Sequence, residues 1–238
     1  MSQNPDVIGR EILPIPDIPS KGKMALDARN AEFPAIKPLR PPKGAPNVVI
    51  VLIDDMGFGA PSVTGGPCNM PAMQKIHDDG LLYNRFHTTA LCSPTRQALL
   101  TGRNHHSAGM GSVAEVATGA PGNDSVRPNT VATIAEMLRL NGYNTGAVGK
   151  MHQTPVWEVS MSGPFDRWPT GDGFEKFYGF VGGETNQWAP TLFKGTSPVE
   201  PWGTAEEGYH ISEDIVDKAN AWIRGLHTMT PDKPFFLY

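Results

Sequence analysis

The chain has 238 residues, of which 39% are apolar, 26 are glycine, 23 are proline and two are cysteine, with a formal charge of −4. That balance suits one or two globular domains and excludes collagen-like, coiled-coil and wholly disordered classes. Two cysteines cannot build a disulfide framework, and the mild acidity argues against a binder of nucleic-acid backbones.

Residues 1–46 hold nine of the prolines, in stretches such as Leu13-Pro14-Ile15-Pro16 and Leu39-Arg40-Pro41-Pro42, with no apolar period. Proline fixes φ and removes a backbone donor, so this segment reads as a proline-rich arm ahead of a body that occupies 47–238. The first residues, Met1-Ser2-Gln3-Asn4-Pro5-Asp6, show neither the basic nor the apolar region of a secretory signal. The longest apolar run, 48–53, is far too short to cross a bilayer. The expectation is a cytoplasmic protein with reduced thiols and no membrane partner.

Asn47-Val48-Val49-Ile50-Val51-Leu52-Ile53 is a β-branched run of the kind that forms a strand buried on both faces of a parallel sheet. Asp54 and Asp55 follow at once. Residues 71–79 read as a helix with Met73, Ile76 and His77 on one face and Gly80 as its left-handed stop. A second strand is expected over 81–86. Residues 94–101 form a short helix with Pro94 in its first turn and Gly102 closing it. Asn129 and Thr130 precede a helix carrying Ile134, Met137, Leu138 and Leu140, stopped at Asn141-Gly142, and a strand over 143–148 follows. The stretch 153–208 breaks the alternation. It is rich in Gly and Pro, holds Trp157, Trp168, Trp188 and Trp202, and reads as an insertion over one end of the sheet. A helix over 209–226 and a strand beginning at Pro234 complete an α/β pattern, a mostly parallel central sheet sandwiched by helices.

The strongest chemical signal is Cys92-Ser93-Pro94-Thr95-Arg96-Gln97-Ala98-Leu99-Leu100-Thr101-Gly102-Arg103. It places a cysteine just ahead of a helix whose free N–H groups favour an anion, with Arg96 one turn on. Asp54-Asp55, at the carboxyl end of a strand where open α/β sheets place ligands, offers two hard oxygen donors suited to Ca²⁺ or Mg²⁺. Gly149-Lys150-Met151-His152 ends another strand, and alternation points the ammonium and the imidazole roughly the same way. His105, His106 and Cys68 fit surface or supporting roles better. No G-x-G-x-x-G follows the first strand, which removes a dinucleotide-binding reading.

The Cys92 segment resembles the signature of the sulfatase family, C-x-P-x-R extended by Leu-Thr-Gly-Arg. Asp54-Asp55-Met56-Gly57 and Gly149-Lys150-Met151-His152 are similar to two further family motifs, the second usually with Trp in place of Met151. The resemblance covers 47–238 and implies an alkaline-phosphatase-like core. It implies that Cys92 is converted to formylglycine by a formylglycine-generating enzyme, and that the hydrated aldehyde attacks the sulfur of a sulfate monoester. It also implies that Asp54, Asp55 and residue 92 bind Ca²⁺, with Mg²⁺ as the alternative, while Arg96, Lys150 and His152 serve the transferring group and the leaving oxygen. Two other readings stand beside an arylsulfatase: a phosphonate or phosphate monoester hydrolase of the same superfamily, and an inactive fragment. The family continues into an Ala-Pro-His stretch, an Asp-Asn pair and a distal Lys that this sequence lacks, so the chain expressed alone is expected to be inactive and poorly soluble.

Overall fold

The computed structural model describes residues 21–238, which divide between Leu39 and Arg40. Leu13-Pro14-Ile15-Pro16 lies outside the described residues. Within 21–39 the chain makes one antiparallel bridge, Lys23 to Glu32, around a 3-10 turn at Ala28–Asn30 that is capped by the Asp27 side chain.

From Arg40 onward the framework is a six-stranded sheet. Its strands are β1 (Val48–Val49), β2 (Asn144–Lys150), β3 (Lys176–Phe180), β4 (Leu192–Lys194), β5 (Ser197–Val199) and β6 (Phe235–Leu237). The spatial order is β1-β6-β2-β3-β4-β5. Pairs β1–β6, β6–β2 and β2–β3 are parallel, while β3–β4 and β4–β5 are antiparallel, so the expected mostly parallel sheet is present. The helices are α1 (Pro71–Asp79), α2 (Cys92–Thr101), α3 (Ile134–Arg139) and α4 (Ile211–Met229).

Alternation along the strands sorts the two faces. Ala147 and Phe236 join Leu100 of α2, Ala135 of α3, Trp168 and Phe174 in the main core. On the other face Gly146 lies against Trp222 of α4, so close that a Cβ there would stand 2.8 Å from the indole. Asp214 fastens α4 to the sheet, accepting hydrogen bonds from Tyr178 (2.6 Å) and Tyr209 (3.1 Å). Both phenols are pushed up by burial and by that carboxylate.

Three local expectations fail. The apolar run after Asn47 yields only a two-residue strand at the sheet edge, and Val49 and Val51 are exposed. Its neighbour on one side is β6, and a cleft of about 500 Å³ separates it from α4, so burial on both faces is not reached. Residues 81–86 form no strand, and Leu81, Leu82, Tyr83 and Phe86 are exposed. Gly80 ends α1 with φ −132°, not in the left-handed region, and Ile76 on the supposed packing face is exposed. Within 153–208, β3, β4 and β5 form half the sheet and Trp168 is fully buried. Trp157, Trp188 and Trp202 remain exposed.

Gly173 turns the chain into β3 at φ +97°, where a Cβ would meet the Glu136 backbone at 2.4 Å. Steric overlap and a left-handed backbone both penalise a side chain there. Gly173→Ala is expected to lower the unfolding free energy by about 2–4 kcal/mol, measured by urea titration.

Candidate active site

Three parallel strands end at one place. Asp54 follows β1, Tyr238 follows β6, and Lys150 closes β2, while α2 presents its N-terminus beside them. The sequence builds α2 as a rigid mount. Pro94 occupies the first turn, where its missing N–H removes no helix bond. At the far end Thr101 donates to the Gln97 carbonyl at 2.6 Å and accepts from the Arg103 N–H, and Gly102 at φ 65° ends the helix with its N–H on Ala98. The Thr-Gly pair is therefore a helix-stopping device. Ser93, Arg96, Gln97 and Leu100 are buried, which fixes the helix against the core and sets Cys92 at its open end.

Arg96 is 3% exposed and ties the strand ends together. Its guanidinium donates to the Lys150 carbonyl (2.6 Å), the Tyr238 hydroxyl (3.3 Å) and Asp54 Oδ1 (3.3 Å). Its Nε–H finds no partner among the described residues. Lys150 Nζ donates to Asp54 Oδ2 at 2.6 Å. Burial pushes the Asp54 carboxyl up, but the bonds and charges of Lys150 and Arg96 outweigh it and hold the group below the usual carboxylate range.

His152 lies across from Cys92. Its Nδ1 is 3.0 Å from Cys92 Sγ, and its Nε2 is 2.9 and 2.8 Å from the two carboxylate oxygens of Glu115. Burial lowers the imidazole pKa more than Glu115 raises it, and Lys150 and Arg96 act in the same downward direction. Glu115 is raised by its own partial burial, yet its bond to His152 keeps it below the ordinary value. Lys150 and His152 take different partners within one site. Gly149 at φ +89° and His152 at φ +54° break the strand alternation, so the ammonium goes to Asp54 and the imidazole to Cys92.

Asp55 follows Asp54 in a left-handed conformation (φ 54°) and is exposed. The two carboxylates suit a hard cation in kind, but Asp54 already carries two cationic partners. Among the described residues no group of three or more metal-ligating side chains is gathered. The donor set among the described residues does not by itself complete a Ca²⁺ or Mg²⁺ site. Cys68 is an exposed loop thiol, and His105 and His106 stack on each other (ring centroids 4.3 Å apart), with His105 bonded to the Met110 carbonyl. Glu115 and Tyr238 carry no motif of their own, and only the fold brings them to the site.

The family model named Sulfatase matches residues 46–238. This chain belongs to the sulfatase family. An arylsulfatase of Klebsiella aerogenes is 30% identical over 198 residues, 78% of this chain and 40% of the relative. Human arylsulfatase A is 29% identical over 216 residues, 81% of this chain and 40% of the relative. Among solved structures, the sulfatase PsFucS1 from Pseudoalteromonas sp. superposes with a TM-score of 0.62 at 21% identity, over 81% of this chain and 42% of that one, which establishes the shared sulfatase fold. The chain thus spans about 40% of the length of the sulfatases it matches. Among its described residues no helix is long and apolar enough to cross a membrane.

Proposed function

We propose that this chain supplies the nucleophile-bearing part of a sulfatase that hydrolyses sulfate monoesters of small molecules or glycans. The observation that carries the reading is Cys92 at the open end of α2, with His152 on its sulfur and the Arg96–Asp54–Lys150 network alongside. Converted to formylglycine by a formylglycine-generating enzyme, residue 92 would supply the nucleophilic oxygen where Sγ now stands. Asp54, Asp55 and residue 92, with donors from outside this chain, would hold a Ca²⁺ or Mg²⁺ that polarises the sulfuryl oxygens.

This chain's own side chains then have separable tasks. Lys150 and Arg96, already fixed beside Asp54, offset negative charge on the transferring group. His152, with its Nδ1 toward residue 92, takes or returns a proton at the nucleophilic oxygen. The helix end favours the anionic form of whatever sits at 92.

Two measurements test the reading. Mass spectrometry of the peptide containing residue 92, from cells with a working modification system, is expected to show a loss of about 18 Da relative to the thiol, since sulfur and two hydrogens are exchanged for oxygen. The enzyme that contains this chain is expected to turn over aryl sulfates faster than aryl phosphonates. A preference for the phosphonate would assign it to the neighbouring hydrolases, and an unmodified thiol without turnover would mark a catalytically inactive protein.

A further inference from the structure

We infer that Glu115 is a positioning residue that fixes the ring orientation and tautomer of His152, so that the Nδ1 lone pair faces the nucleophile at residue 92. A carboxylate oxygen only accepts, so the nitrogen facing Glu115 must carry the proton. Both Glu115 oxygens lie within 2.9 Å of Nε2. Nε2–H is therefore the donor, and in the neutral imidazole Nδ1, 3.0 Å from Cys92 Sγ, is left as the acceptor. A histidine held at both nitrogens can accept a proton from residue 92 without first rotating or exchanging tautomers.

The surroundings are shaped for this pair. Glu115 lies on the 3-10 turn Ala114–Val116, and the turn is tied to α2 where the Ala114 N–H donates to Ser93 Oγ at 3.4 Å. The same helix thus locates the nucleophile and the carboxylate that orients its base. On the other side the His152 N–H donates to the Val181 carbonyl at 3.2 Å, which holds the residue in its left-handed backbone conformation. Gly183 closes the pocket. A Cβ at 183 would stand 2.7 Å from His152 Nε2 and 2.8 Å from Glu115 Oε1, so a side chain there would force the pair to shift. Lys150, Arg96 and Asp54 act on the other strand ends and do not touch Nε2.

This role rests on the sulfatase reading for its catalytic meaning, but not for its geometry. The first test is a long-range ¹H–¹⁵N spectrum of the protein labelled at histidine, near pH 7.5. His152 is expected as the Nε2–H tautomer in the wild type and in Glu115→Gln, whose side-chain oxygen can still accept. It is expected as a mixture in Glu115→Ala and in Gly183→Ala, the latter keeping both functional groups but separating them. A wild-type Nδ1–H tautomer, or an unchanged ring signal in Glu115→Ala, would overturn the assignment. The second test is turnover of 4-nitrophenyl sulfate by the enzyme carrying this chain. Glu115→Ala is expected to lower kcat at least about tenfold with KM little changed, and Glu115→Gln to recover most of it. Equal kcat in wild type and Glu115→Ala would also overturn it. The expected tautomer in a wild type that hydrolyses no sulfate ester would support the placement of Glu115 and overturn the sulfatase reading instead.

Discussion

Cys92→Ala, in the enzyme that contains this chain, is expected to reduce sulfate-ester turnover on the order of 10⁴-fold or more. The size follows from removing the group that would attack the sulfur. Cys68, the only other cysteine, is an exposed loop thiol outside the network, so Cys68→Ala should leave turnover unchanged. Residual activity in Cys92→Ala would come from anion binding by Arg96 and Lys150 alone, which positions a substrate but attacks nothing. The fold should barely respond. Cys92 is half-buried, its sulfur is bonded to His152, and α2 is held by Ser93, Arg96, Gln97 and Leu100. The change in unfolding free energy should therefore stay within about 1 kcal/mol. Turnover within tenfold of the wild type, measured on an aryl sulfate, would sink the nucleophile assignment.

Arg127→Ala is expected to cost about 3–5 kcal/mol of stability, the range found when one partner of a buried ion pair is removed. Arg127 donates to the Val131 carbonyl and pairs with the carboxylate of Asp172, which is 4% exposed. The pair joins the loop before α3 to the turn that leads into β3, and the Thr133 hydroxyl adds a bond to the Asp172 carbonyl at 2.5 Å. Without Arg127 the buried Asp172 loses its hydrogen-bonded cationic partner and keeps only the charge of Arg167. Even in the wild type, burial pushes the Asp172 carboxyl up to about 7 against the pull of Arg127. Between about pH 4 and that value the folded chain keeps a proton that the unfolded chain has released. Its contribution to stability is therefore fully present below about pH 4 and declines as pH rises through the window. Asp172→Asn should remove that slope, and urea titrations from pH 4 to 8 on the three proteins check both statements.

Local chemistry explains which elements could be read without the fold. The Pro71 start of α1, the Thr-Gly stop of α2, the Asn141-Gly142 stop after α3 and the long apolar face of α4 are all written in neighbouring residues. The site motifs are also contiguous, so Asp54, Cys92, Arg96, Lys150 and His152 could be named and are brought together. The unreadable parts depend on distant partners. β3 contains three aromatics and a glycine in five residues, and becomes a strand because β2 and β4 lie beside it. The hydrophobic strand after Asn47 has the right residues, yet its length and burial are decided by what packs over the sheet edge. Glu115 sits in an unremarkable Ala-Glu-Val turn, and its partner is 37 residues away. The positive φ of His152 leaves no mark in the neighbouring sequence from which it could be read.

Arg96 carries an implication for the order in which the molecule acquires its chemistry. Its three partners lie 42, 54 and 142 residues away in sequence, each on the far end of a different parallel strand. Contacts of such separation close large loops before they return any energy, and they form slowly and late. The network at that end of the sheet is therefore expected to form late in folding. A partly folded chain is expected to contain α2 with Cys92 at its tip before the Arg96 contacts to Asp54, Lys150 and Tyr238 have closed beside it.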